Sequence, residues 1–233
     1  MNTNILIIVT SHARMGDTGK PTGLWVEELA VPYYQFVDAG INVAISAPLG
    51  GSAPLEPNSL KPAGENDPVV ERFLADPVVQ GKINAMVPLA QIDMAQFDAV
   101  FLPGGHGTMW DLPLDASVRH TVEQAFNGDK VVAAVCHGPA GLVSALRPDG
   151  CSILHGKRVT GFSNTEERAV GLAEVVPFLL ESRMRELGGD YHSGPDWQPF
   201  AQQDGKLITG QNPASSHLVG QYVLAALGVG AAQ

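Results

Sequence analysis

Short, uniformly apolar runs alternate along this chain with longer segments whose apolar residues recur every three or four positions. The first kind reads as strands buried on both faces, the second as amphipathic helices. Residues 4–10, 42–47, 99–102, 131–135 and 207–209 are therefore predicted strands. Residues 23–39, 115–126 and 214–227 are predicted helices, and another starts within 139–145. The punctuation agrees: Gly40 stops the first helix, while Pro48, Gly50 and Gly51 close the second strand. This alternation predicts an α/β fold, a doubly wound and mostly parallel sheet flanked by helices on both faces. Residues 52–84 break the rhythm and are expected to form a small cap insertion within a single domain spanning 1–233. Ligands of such sheets sit at the carboxyl ends of the strands, so chemistry is expected just after them.

Composition narrows the picture. A chain of 233 residues is long enough to bury roughly 70–75% of its unfolded surface. Only 16% of its residues are charged and 45% are apolar, against roughly 25% charged in an average soluble protein. Disorder is excluded, and a large core or a subunit interface is implied. With 14 basic and 24 acidic residues the net charge is −10, the wrong sign for nucleic acid or an anionic membrane surface. The apolar run 5–9 is too short for a signal-peptide core or a bilayer span. A cytoplasmic location is expected, where Cys136 and Cys151 are reactive or buried rather than bridged.

Cys136 follows the strand 131–135 directly and precedes a predicted helix, in the order Ala134-Val135-Cys136-His137-Gly138-Pro139. A nucleophile on such a turn needs a small residue two positions on, which Gly138 supplies, and Pro139 suits a first helical turn. A cysteine at a helix N-terminus is expected to have a lowered pKa. Cys151, at the turn after Asp149-Gly150, has no such setting and reads as structural. The glycines of Gly104-Gly105-His106-Gly107 could bring backbone N–H groups onto a ligand, with His106 either a turn residue or a substrate contact. Glu27 and Glu28 lie in an apolar helical stripe where only one can face inward. Glu166 and Glu167 pose the same question, with Asn164 or Thr165 as a helix N-cap before them.

These residues resemble the ThiJ/PfpI superfamily, whose flavodoxin-like fold is similar to that of class I glutamine amidotransferase domains. The branch they most resemble contains heat-shock chaperone-like proteins and glutathione-independent glyoxalases (glyoxalase III). The matching segments are 22–36, 101–113, 131–142, 157–171 and 207–216. The resemblance implies that Cys136 is the nucleophile, His137 its partner and Glu167 the acidic third member of a triad, with Glu166 a one-residue alternative. It also implies that Glu28 hydrogen-bonds the cysteine and that the N–H groups of Gly105 and His137 form an oxyanion hole, with Gly104 and His106 beside it. Val31 stands where many relatives carry histidine. The late His-x-Glu pair of glutaminases is missing, since Lys157, Gly194 and Val219 follow His155, His192 and His217 at that spacing. Glutaminase activity is therefore not expected.

The expected activity is conversion of small 2-oxoaldehydes such as methylglyoxal to 2-hydroxy acids, through a Cys136 hemithioacetal and an enediol. No metal or nicotinamide motif is present, and no cofactor is expected. The alternative is a stress-responsive chaperone, deglycase or redox sensor using the same cysteine. As in the family, a homodimer is expected.

Overall fold

The computed structural model describes residues 3–229; residues 1–2 and 230–233 of the expected domain lie outside the described residues. Strand β1 (Asn4–Ile8) leads into helix α1 (Val26–Asp38), which returns to β2 (Asn42–Ala47). Helices α2 (Pro68–Ala75) and α3 (Pro77–Asn84) then fill the second half of the irregular stretch before the two-residue β3 (Val87–Pro88). β4 (Ala99–Leu102), the short α4 (Thr108–Asp111), α5 (Ala116–Asn127) and β5 (Val131–Val135) form the second half. A small parallel pair, β6 (Arg158–Val159) and β7 (Asp190–Tyr191), brackets α6 (Asn164–Ala169) and α7 (Leu180–Glu186). The antiparallel hairpin of β8 (Ala201–Asp204) and β9 (Leu207–Gly210) precedes α8 (Ser216–Ala226).

The main sheet runs β3-β2-β1-β4-β5-β9-β8, parallel throughout except for β8. The chain winds outward from β1 to β2, then crosses to β4 on β1's other side. Right-handed crossovers place α1 and α5 on opposite faces. Every residue of β4, β5 and β9 is buried, as two covered faces require. Order reverses between β1 and β4, the switch point where open α/β sheets bind ligands. Register fixes what meets there: Leu102 lies beside Ala134, and Val135 beside Gly210. The segments leaving β4, β5 and β9 therefore emerge together.

The predicted strands and most predicted helices stand within a few residues of their expected ends, with three differences. α1 starts at Val26 rather than Gly23, because Leu24 and Glu56 exchange backbone bonds with Pro54 and Leu24 carbonyls and keep that stretch extended. α8 starts at Ser216 after a 3-10 turn, Pro213–Ser215. The segment after β5 is a 3-10 turn, Gly138–Leu142, instead of the expected α-helix. Both cysteines are free, Cys136 buried and Cys151 exposed.

Candidate active site

Cys136 stands at φ +60° immediately after β5. A left-handed conformation costs a non-glycine residue about 1–3 kcal/mol, so the surroundings must impose it. They do so from two sides. The Cys136 N–H donates to the Gly210 carbonyl at 3.0 Å, and its carbonyl accepts from the Phe162 N–H at 2.9 Å. The turn closes so tightly that a Cβ on Gly138 would fall on the Leu102 carbonyl oxygen.

The thiol is only 3% exposed. Burial pushes its pKa well up, the neighbouring Glu28 pushes it further, and the His137 N–H only partly offsets them. The expected lowering is thus corrected: a five-residue 3-10 turn carries too little dipole to outweigh desolvation and an adjacent acid.

Glu28, on the buried face of α1, is the inward member of its pair, whereas Glu27 is half-buried beside Asp67 and Lys61. Glu28 Oε2 accepts from the Gly104 N–H at 2.7 Å. Its Oε1 has no nitrogen or oxygen partner, and the side chain it couples to is Cys136. Burial raises Glu28 to about 8, against the opposing pull of Cys136 and the Gly104 N–H. It is therefore protonated at neutral pH. Gly104 consequently cannot serve as an oxyanion donor, because its N–H is already committed to Glu28. The Gly105 N–H has no acceptor among the described residues. Gly105 itself must be glycine: it stands at φ +97°, and a Cβ there would fall on Gly23 and Trp25 backbone atoms.

His137 Nδ1 faces Cys136 Sγ at 3.3 Å, and its Nε2 meets Glu167 Oε2 at 2.8 Å. Glu167 Oε1 meets His106 Nε2 at 2.9 Å. Burial opposes ionisation of Glu167, but the charge of His137 and bonds from both imidazoles outweigh it and hold the carboxyl well below the usual range. An ionised carboxylate only accepts, so both histidines present Nε2–H to it. That leaves His137 Nδ1 as a bare acceptor for the thiol proton. Burial first, then His106, lower His137 to about 4 against the pull of Glu167, so its resting form is the neutral one a base requires.

Glu166 does something else. Its Oε1 accepts from the Trp197 N–H at 2.9 Å and Asn212 Nδ2 at 2.8 Å, and its Oε2 from the Ser163 N–H at 3.1 Å. Ser163, and not Asn164 or Thr165, caps α6, in a reciprocal box with Glu166. This box sets the helix phase that turns Glu167 toward the histidines.

A cavity of about 260 Å³ opens onto these groups, with Gly105, His106, Cys136 and His137 at its polar end. Trp25, Phe162, Val170, Trp197 and Pro213 form its apolar walls. Phe162 leans on His137 with ring centroids 4.3 Å apart, and Trp197 meets Phe162 edge-on at 5.7 Å. A larger, more open concavity of about 520 Å³ at residues 13–21 holds none of these groups. Sequence reasoning missed the aromatic walls, although Trp25 and Phe162 lie within matching segments. It also missed the bond between His106 and Glu167, which 61 residues separate.

His106, His137 and Glu167 form the one group of three metal-ligand types among the described residues. Their facing atoms meet one another as hydrogen bonds.

The model of the DJ-1/PfpI family matches residues 25–225. A glutathione-independent glyoxalase of Schizosaccharomyces pombe is 30% identical over 222 residues, 91% of each chain. The crystal structure of glyoxalase III from Candida albicans superposes with a TM-score of 0.89 at 25% identity, covering 96% of this chain and 97% of that one. The rapid encystment protein of Francisella tularensis superposes at 0.92 with 39% identity, covering 97% and 99%. With a matching sheet, a strained cysteine after β5 and relatives that cover more than nine tenths of it, the chain belongs to the DJ-1/PfpI family.

Proposed function

We propose that this protein is a glutathione-independent glyoxalase, converting small 2-oxoaldehydes such as methylglyoxal to 2-hydroxy acids. One observation carries the reading: a single line of contacts, Cys136 Sγ to His137 Nδ1 and His137 Nε2 to Glu167, lies under an apolar cavity. A raised thiol poised on a neutral imidazole is a nucleophile activated by a base during attack, rather than a resting thiolate.

Sγ adds to the aldehyde carbon, C1, while the thiol proton passes to His137 Nδ1 and Glu167 stabilises the imidazolium. The oxyanion accepts from the Gly105 N–H, beside the His137 N–H and the protonated Glu28. Return of the proton gives a hemithioacetal. Transfer of the C1 hydrogen to C2 through an enediol yields a thioester, which water hydrolyses. C1 is oxidised and C2 reduced within one molecule, so the step needs no external electron acceptor. The buried, raised thiol disfavours the alternative in which Cys136 is an oxidation sensor, because a sensor needs an exposed thiolate.

The test is incubation of the purified protein with methylglyoxal in thiol-free buffer, with the product followed by proton NMR. Lactate is the expected product. Unchanged methylglyoxal would contradict the proposal.

A further inference from the structure

The reaction moves two different protons, and Cys136, His137 and Glu167 account for only one of them. The thiol proton has its acceptor in His137 Nδ1, 3.3 Å from Sγ. The hydrogen on C1 must be taken by a base and returned to C2. Glu28 is poorly suited to take it, since burial holds its carboxyl protonated at neutral pH.

His106 is wired as a second copy of His137. It donates Nε2–H to the other oxygen of the same carboxylate, Glu167 Oε1, at 2.9 Å. Its ring lies 4.0 Å from that of His137, centroid to centroid. The residue is only 8% exposed, and its ring lines the cavity. Nδ1 has no partner among the described residues, yet it is not among the polar atoms sealed off from solvent. It is therefore an acceptor open to whatever binds in the cavity.

We propose that His106 is the carbon acid/base of the reaction, an inference that rests on the glyoxalase reading above. In the hemithioacetal, His106 Nδ1 takes the hydrogen from C1. The C1–H pair becomes the C1–C2 double bond, and the ketone oxygen on C2 takes up the displaced pair. That oxygen receives the C1 hydroxyl proton, carried across by His137 Nδ1, which leaves the enediol as its anion. His106 Nδ1–H then returns the carbon proton to C2, and the charged C1 oxygen closes the thioester carbonyl. No proton is gained or lost overall, and Glu167 holds both imidazoles in one tautomer throughout. His137 serves sulfur and oxygen; His106 serves carbon.

The experiment uses the full chain, with methylglyoxal carrying deuterium at C1, in ordinary water. In the unaltered protein, deuterium should slow kcat, and part of it should appear at C2 of the lactate, because one largely buried base carries it. Complete loss of label to solvent would overturn the proposal. His106→Gln keeps an N–H for Glu167 but has no base, and it should lower kcat by about 100-fold or more, the usual scale for a lost acid/base, with KM within about threefold. The pH profile of Cys136 alkylation should stay in place, since it reports the contact of sulfur with His137. If turnover stays within about fivefold of the unaltered protein, or if the alkylation profile moves with it, His106 is not the carbon base. Should His106→Gln not fold, His106→Asn and the label measurement decide. Absence of lactate from the unaltered protein would overturn the glyoxalase reading and this inference together; lactate with an active His106→Gln overturns this inference alone.

Discussion

At the scale of single residues, the site is a set of charge states fixed by burial. Neutral His137, at about 4, is available as a base above that pH, and protonated Glu28, at about 8, is available as a donor below it. The form with both in place dominates between these values. kcat/KM should therefore fall through about pH 8 as Glu28 ionises, and on the acid side be lost by about pH 4 as His137 protonates. Glu28→Gln, which cannot ionise, should lose the alkaline limb while turning over more slowly, and a pH–rate profile of the variant decides it. The two neighbouring acids separate as well. Glu167→Gln leaves one imidazole N–H without its acceptor and should cost about 100-fold in kcat together with about 1–3 kcal/mol of stability. Glu166→Gln should cost similar stability but little kcat, because its carboxylate ties down Ser163, Trp197 and Asn212 and an amide leaves one of their N–H groups unpaired. That loss is worth about 1–3 kcal/mol. Steady-state rates and urea unfolding of both variants measure the contrast. That Cys136, His137, Glu28 and Glu167 belong to one site was expected from spacing and family resemblance, and the fold brings them together. The commitment of the Gly104 N–H, the raised thiol and the second imidazole on Glu167 were not legible in the sequence, since each depends on which atoms meet across the fold.

At the scale of elements, apolar runs located the long strands because a strand covered on both faces needs no alternation. β3, β6 and β7, two residues each, offer no run to detect. β8 is half-buried at every position and reads as loop. The segment after Cys136 looks helical from Pro139 onward, yet tight closure against β4 holds it as a 3-10 turn. That closure is testable. In Gly138→Ala the new Cβ meets the Leu102 carbonyl, a backbone atom that cannot rotate away. The variant should lose about 1–3 kcal/mol or more, the range for overpacking, measured by urea unfolding. A stability equal to that of the unaltered protein would show that the turn is looser than described.

At the scale of the whole molecule, a homodimer is the expectation from the family resemblance and the low charged fraction of 16%. Light scattering should then give twice the chain mass of 24.6 kDa; a mass of one chain would remove the dimer from the account. Among the described residues no helix is long and apolar enough to cross a membrane. The proposed reaction depends on one buried sulfur, and the contrast between the two cysteines tests it most directly. The measurement is the rate of lactate formation from methylglyoxal, without glutathione, by Cys136→Ala and Cys151→Ala. Cys136→Ala should form no lactate above the uncatalysed rate, and Cys151→Ala, altered at an exposed turn away from the cavity, should retain most of the activity. Comparable rates in the two variants would contradict the account.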